Sequence, residues 1–234
     1  MKLILFDIDG TLLWTDGAGR RAIQRALEDV AGTAGPIDTY RLDGKTDPQI
    51  VRDLLSLAGH SGAGDDALTT AVCRRYLELL DLELRQQPER ATHLLPGVAE
   101  LLLALEAHEA AQRALVGLLT GNLAPGAALK LRAAGVDPAR FTVGAYGSDS
   151  GHRSDLPGVA AARASERTGR RFAGGDVVIV GDTPADVACG RPIGAASVAV
   201  ATGYYDVAAL RACGATLVFE TLADTTAVVA ALLA

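Results

Sequence analysis

The chain has 234 residues, 49% of them apolar, and a formal net charge of -6. That acidity argues against a nucleic-acid or anionic-membrane partner, since both select a basic face. The length allows one large domain, or a main domain with a smaller appendage.

In chain order, Leu3 to Phe6 is the first apolar run, and it ends in the two aspartates of "FDIDGT". No convincing strand follows from about Asp16 to His93. Amphipathic helices are expected there instead, over Ala18 to Val30, Pro48 to Leu57 and Asp65 to Gln87, with "AGTAGP" and "GHSGAG" as turns. Gly17-Ala18-Gly19 reads as a hinge or helix start, and Trp14 is expected to pack near that hinge. Pro96 suits the first turn of a helix over Gly97 to Glu109. Strand-length runs then recur at Leu115 to Leu119, Val177 to Val180 and Ser197 to Ala201, with weaker ones at Phe141 to Tyr146 and Thr216 to Phe219. Helical patterns at Pro125 to Ala134 and Leu156 to Thr168 lie between them. The runs are continuous rather than alternating, as parallel strands covered on both faces require. The fold expected is α/β: a doubly wound parallel sheet with an inserted α-helical unit.

Cys73, Cys189 and Cys213 are scattered, without a CxxC pair, and read as buried thiols of a reducing compartment. Met1-Lys2 leads straight into a short strand, and no apolar run is long enough to span a bilayer. A soluble, cytoplasmic protein is therefore expected.

Ligands of open parallel sheets sit at the carboxyl ends of the strands. Three such ends carry small or acidic polar groups: Asp7, Asp9, Gly10 and Thr11; Thr120, Gly121 and Asn122; and Gly181, Asp182, Thr183 and Asp186. Several carboxylates in one crevice need a hard cation, and oxygen donors without His or Cys point to Mg²⁺. Such a site suits a small phosphate ester. One carboxylate can attack phosphorus, and a second can protonate the leaving oxygen and then activate water.

"DIDGT", "LLTGN" and "GDTPAD" resemble, in order, three of the four motifs of the haloacid dehalogenase-like superfamily, in its branch of phosphoglycolate phosphatases and β-phosphoglucomutases. The resemblance implies a Rossmann-like catalytic core over residues 1–15 and 94–234, and a helical type-1 cap over residues 16–93. It implies Asp7 as nucleophile, Asp9 as general acid/base and Thr120 as phosphate ligand, with Gly121 and Asn122 beside it. It further implies Mg²⁺ held by Asp7, Asp182 and the backbone carbonyl of Asp9, with Asp186 as a further ligand or supporting partner. The family's third motif is a lysine, and "YGSDSGHRSDLPGVAAARA" has none. Arg153 stands at about the right place, with Arg163 as a second candidate; arginine offers planar bidentate contacts rather than a point charge. Lys45, in the insert, is a candidate to reach the substrate.

A dehalogenase lacks the second aspartate, so Asp9 argues against that reaction. A phosphonatase would need a cap lysine forming a Schiff base, for which Lys45 is the only support. The expected activity is hydrolysis of a small phosphorylated metabolite. A phosphosugar mutase of the same fold, or a catalytically silent relative that binds metal or a partner, stands as the alternative. Monomer and homodimer are equally compatible with the sequence.

Overall fold

A computed structural model describes residues 1–86 and 92–234 of the protein. The expected helix end at Gln87 lies outside the described residues. Six strands form one parallel sheet: β1 (Lys2–Phe6), β4 (Ala114–Leu119), β5 (Gly144–Ala145), β6 (Val177–Gly181), β7 (Ala196–Val200) and β8 (Leu217–Phe219). They lie in the order β5-β4-β1-β6-β7-β8. The order reverses at β1, which pairs in parallel with β4 on one side and β6 on the other. That reversal opens a crevice beyond the carboxyl end of β1, the place where such sheets bind ligands.

Successive strand residues face opposite sides of the sheet, so each strand feeds two cores. Ile4 and Phe6 join Val116, Leu118, Val178 and Val180 in one cluster, under α4 (Val98–Ala110), α5 (Ala124–Ala133) and α9 (Thr225–Leu233). Leu3 and Leu5 join Leu119, Val177 and Ile179 in the other, against α6 (Leu156–Thr168). Burial on both faces explains why these strands read as unbroken apolar runs. The weaker runs were longer in expectation than in the structure. At one sheet edge only Gly144 and Ala145 pair, with Leu118 and Leu119.

The helices α1 (Ala18–Ala31), α2 (Asp47–Leu57) and α3 (Asp66–Gln86) fill the interval between β1 and β4, as expected. Their apolar faces meet in a separate cluster that includes Ile23, Leu27, Val51, Leu54, Leu79 and Tyr76. Leu123 belongs to the same cluster and Leu129 packs against it, so α5 of the sheet layer shares the insert's core.

A second sheet was not expected from the sequence. β2 (Leu13–Trp14) pairs antiparallel with β3 (His93–Leu94), placing Leu13 beside Leu94 and Trp14 beside His93. This two-rung ladder holds the chain entering the insert beside the chain leaving it. Trp14 sits on it and meets the Tyr204 ring edge-on at 5.8 Å between centroids. Among the described residues no helix is long and apolar enough to cross a membrane. Cys73 and Cys189 are buried as expected, whereas Cys213 is half-exposed at the end of α8 (Val207–Ala212).

Candidate active site

The three strand ends converge. Asp7, Asp9, Thr120, Gly121, Asn122, Arg153, Asp182 and Lys45 all line one cleft of about 170 Å³ between the sheet and the helical insert. Asp7 is the first residue past β1, and its N–H donates to the Val180 carbonyl at 2.9 Å, so the sheet hydrogen bonding fixes its position. Gly10 then turns the chain with φ +79°, and a Cβ there would stand 2.4 Å from Asp182 Oδ2. The turn therefore depends on glycine for its backbone angle and for the approach of Asp182.

Asp7, Asp182 and Asp186 each place a carboxylate oxygen within 4.8 Å of the others, and all three are buried. Burial pushes the Asp7 carboxyl up to about 6, helped by Asp186 and Asp9 and opposed by Arg153. Burial, then the charges of Asp186 and Asp7, holds Asp182 well above the ordinary carboxylate range. Three mutually repelling, oxygen-only donors are the set that a hard divalent cation neutralises, so the residues fit Mg²⁺.

Arg153 is the buried cation of this cluster. Its Nη2 lies 3.2 Å from Asp7 Oδ2 and donates to Asp186 Oδ1. Burial alone would lower its pKa, but Asp186 and Asp7 raise it, so the guanidinium stays charged. Its buried Nε finds no acceptor among the described residues. Arg153, the candidate for the missing lysine, thus lines the cleft beside Asp7 and Asp186. Arg163 instead reaches Asp149 at 2.7 Å and does not line the cleft.

Asp186 has a structural duty as well. Thr183, not Asp182, caps α7 (Pro184–Cys189): its hydroxyl accepts from the Asp186 N–H at 3.2 Å, while Asp186 Oδ2 accepts from the Thr183 N–H at 3.0 Å. This capping box fixes the carboxylate that Arg153 engages.

Asp9 points away from that cluster, toward α5. Lys130 Nζ contacts its two oxygens at 2.8 and 2.7 Å, and Asn122 Nδ2 donates to Oδ2 at 2.8 Å. Asn122 Nδ2 also donates to Thr120 Oγ1 at 2.8 Å. Sequence reasoning missed Lys130, which looks like one more polar residue in a helical pattern. Thr11, named at the first strand end, donates its hydroxyl to Asp182 Oδ1 at 3.0 Å, whereas Gly203, where a Cβ would stand 1.9 Å from Asp182 Oδ2, was missed. Gly203 follows β7, and the glycine after that strand was the available signal.

Lys45 lines the cleft, but its ammonium is engaged: it donates to Tyr40 Oη and, at 3.1 Å, to Asp53 Oδ2. Its backbone enters the site as well. The Lys45 carbonyl packs so closely on Gly121 that a Cβ there would lie 1.9 Å away. Next to it, the Asp47 N–H donates to the Gly121 carbonyl and Asp47 Oδ2 accepts from the Leu123 N–H, both at 2.8 Å. Leu123 is the N-cap position of α5 and offers no side-chain cap of its own, so a carboxylate from the insert caps a sheet-layer helix.

That contact makes a prediction. Burial pushes Asp47 from 3.8 up to about 6, although Lys130 and the Leu123 N–H lower it. A raised carboxylate favours the folded state at low pH and loses that contribution as pH rises through the folded value. Relative to Asp47→Asn, the native protein should lose up to about 3 kcal/mol of stability between about pH 4 and pH 6, and little more above. Urea unfolding of both proteins at pH 4.5, 5.5 and 7.5 measures this, and parallel pH profiles would refute it.

The fold and site define the class: a doubly wound α/β protein with a carboxylate-lined cleft at its topological switch point. The family model described as haloacid dehalogenase-like hydrolase matches residues 1–194, and the chain belongs to that family. A search of curated protein sequences finds no match. Among solved structures, a hydrolase from Pseudomonas syringae is 21% identical with a TM-score of 0.75, covering 99% of each chain. A predicted phosphoglycolate phosphatase from Haemophilus somnus is 21% identical with a TM-score of 0.70, covering 98% of each chain. CbbY from Rhodobacter sphaeroides, in complex with xylulose-(1,5)bisphosphate, is 18% identical with a TM-score of 0.75, covering 96% of each chain. At these identities the likeness concerns the fold.

Proposed function

We propose that the protein is a Mg²⁺-dependent phosphohydrolase of a small phosphorylated metabolite, working through an aspartyl phosphate on Asp7. The observation that carries this reading is the convergence of Asp7, Asp9, Thr120, Arg153 and Asp182 on one cleft. Residues 1–15 and 94–234 form the catalytic core in this reading, and residues 16–93 the cap. A cleft closed by such a cap admits a small ester and excludes a polymer chain.

Asp7 Oδ attacks phosphorus and the bond from phosphorus to the ester oxygen breaks. The leaving alkoxide takes its proton from the Asp9 carboxyl. Water then attacks the phosphorus of the aspartyl phosphate and gives its proton to Asp9, which frees inorganic phosphate and restores Asp7. Thr120 and the charged Arg153 bind the phosphoryl oxygens, and Arg153 Nε has a donor to spare for one of them. Asp7, Asp182, Asp186 and the Asp9 carbonyl would hold Mg²⁺, which when bound stabilises charge on the phosphoryl group. The cap opens to admit substrate, turning about Thr15 to Gly19 and His93 to Pro96, and closes to limit bulk water.

The test is phosphate release from p-nitrophenyl phosphate and from a panel of phosphorylated metabolites, with Mg²⁺ and after EDTA. Release that requires Mg²⁺ and stops with EDTA is expected. Release untouched by EDTA would overturn the metal-dependent mechanism. Conversion of a hexose 1-phosphate to its isomer without free phosphate would make the protein a mutase instead.

A further inference from the structure

We infer that Lys130 is a positioning residue that holds the Asp9 carboxylate in place for proton transfer. The inference rests on the proposed role of Asp9 as general acid/base.

Lys130 lies on α5, and its side chain is only 5% exposed, whereas that of Asp9 is 40% exposed. Its ammonium has three N–H donors. The contacts with Asp9 Oδ1 at 2.8 Å, Asp9 Oδ2 at 2.7 Å and Asn122 Oδ1 at 2.7 Å account for all three. No donor is left for a substrate oxygen, so Lys130 acts on Asp9 rather than on the phosphoryl group. Asn122 completes the bracket by donating to Asp9 Oδ2 and to Thr120 Oγ1 at 2.8 Å each. The acid/base carboxylate and the proposed phosphate ligand are thereby tied into one hydrogen-bonded chain, with Lys130 at its buried end.

Stability alone is a poor reason for this arrangement. The desolvation cost of a buried ammonium can exceed what an ion pair with a half-exposed carboxylate returns. What the pair does supply is direction. Free rotation of Asp9 would scatter its oxygens over several ångströms, and a displacement of about 1 Å can cost about 100-fold in rate. The anchor is itself placed from two sides. The sheet core holds α5 from below, while Asp47 caps its N-terminus and α3 packs along it from the insert.

The experiment compares kcat/KM for p-nitrophenyl phosphate, whose leaving group needs no proton, with that for glycerol 2-phosphate, whose alkoxide does. The holoprotein is measured as native, Lys130→Met, Asp9→Asn and the double variant. Lys130→Met should lose roughly 10- to 100-fold more on the alkyl ester than on the aryl ester. On the alkyl ester the double variant should be no slower than Asp9→Asn alone, because residues acting as one unit are not additive. The ratio of the two substrates within one sample is insensitive to the folded fraction, and Lys130→Gln supplies it if Lys130→Met does not fold. Equal losses on both esters, or a full further loss in the double variant, would overturn the positioning role. Asp9→Asn with native activity on the alkyl ester would instead overturn the reading of Asp9 on which the inference stands.

Discussion

Asp7→Asn is expected to abolish phosphate release, by on the order of 10³-fold or more, while leaving the protein folded. The amide is nearly isosteric, and the Asp7 N–H that bonds Val180 is backbone and is untouched. The amide also removes one of the charges that burial makes costly here, so folding stability at neutral pH should not fall. Asp9→Asn should behave differently. With p-nitrophenyl phosphate, nitrophenolate leaves without a proton, so Asp7 is still phosphorylated, but water is no longer activated. The expected trace is a burst of nitrophenolate of about one per active site, followed by a steady rate reduced about 10² to 10⁴-fold. Stopped-flow absorbance measures the burst, and acid quenching traps the phosphoenzyme. Substantial turnover by Asp7→Asn would dismiss the covalent route. A native steady rate in Asp9→Asn would dismiss Asp9 as the base.

The features legible in the sequence are those written as local interruptions of an apolar run. Asp7, Thr120 and Asp182 each follow directly on a buried strand, so the strand pattern and the chemistry point to the same places. Parallel pairing cannot be read locally, yet unbroken runs at β1, β4, β6 and β7 imply it, because both faces are covered. The β2–β3 ladder was illegible because two residues per strand carry no period. Lys130 was illegible for another reason. It stands in "ALKLRA", where helical spacing alone does not say which face turns inward. In the folded chain α3 packs on α5, Gly19 of α1 lies against the Lys130 ammonium, and Lys130 is buried. Asp47 shows the same limit. In "KTDPQI" it reads as a first-turn acid of its own helix, where Thr46 is indeed the cap, but its carboxylate serves another helix across the cleft.

Arg153→Met should be the most destabilising of these substitutions, and its cost should depend on pH and on Mg²⁺. The side chain is buried between Asp7 and Asp186, with Asp182 beside them, so its loss leaves three carboxylates facing one another without a cation. Breaking a buried pair on one side costs about 3–5 kcal/mol when the remaining charge cannot escape. Here it can escape by taking up a proton. Arg153 does more than the Ile8 backbone hydrogen bond to lower the Asp7 pKa, so removing it raises that value beyond the present figure of about 6. A carboxyl raised in the folded state stabilises at low pH and loses that contribution as pH rises through the folded value. The gap between native and variant protein should therefore be small at pH 5 and grow toward pH 8. A divalent cation substitutes for the missing charge, so Mg²⁺ should raise the Tm of Arg153→Met by more than that of the native protein. Activity should not return with stability, because in the proposed mechanism Mg²⁺ does not replace the guanidinium donors to the phosphoryl group. Arg153→Lys should recover most of the stability and only part of the rate, since a point charge satisfies the carboxylates but lacks the planar fork. Urea unfolding at pH 5 and pH 8, with and without Mg²⁺, decides the matter. A gap independent of pH, or an equal response of both proteins to Mg²⁺, would mean that Arg153 is held for packing rather than for the charge balance of the cleft.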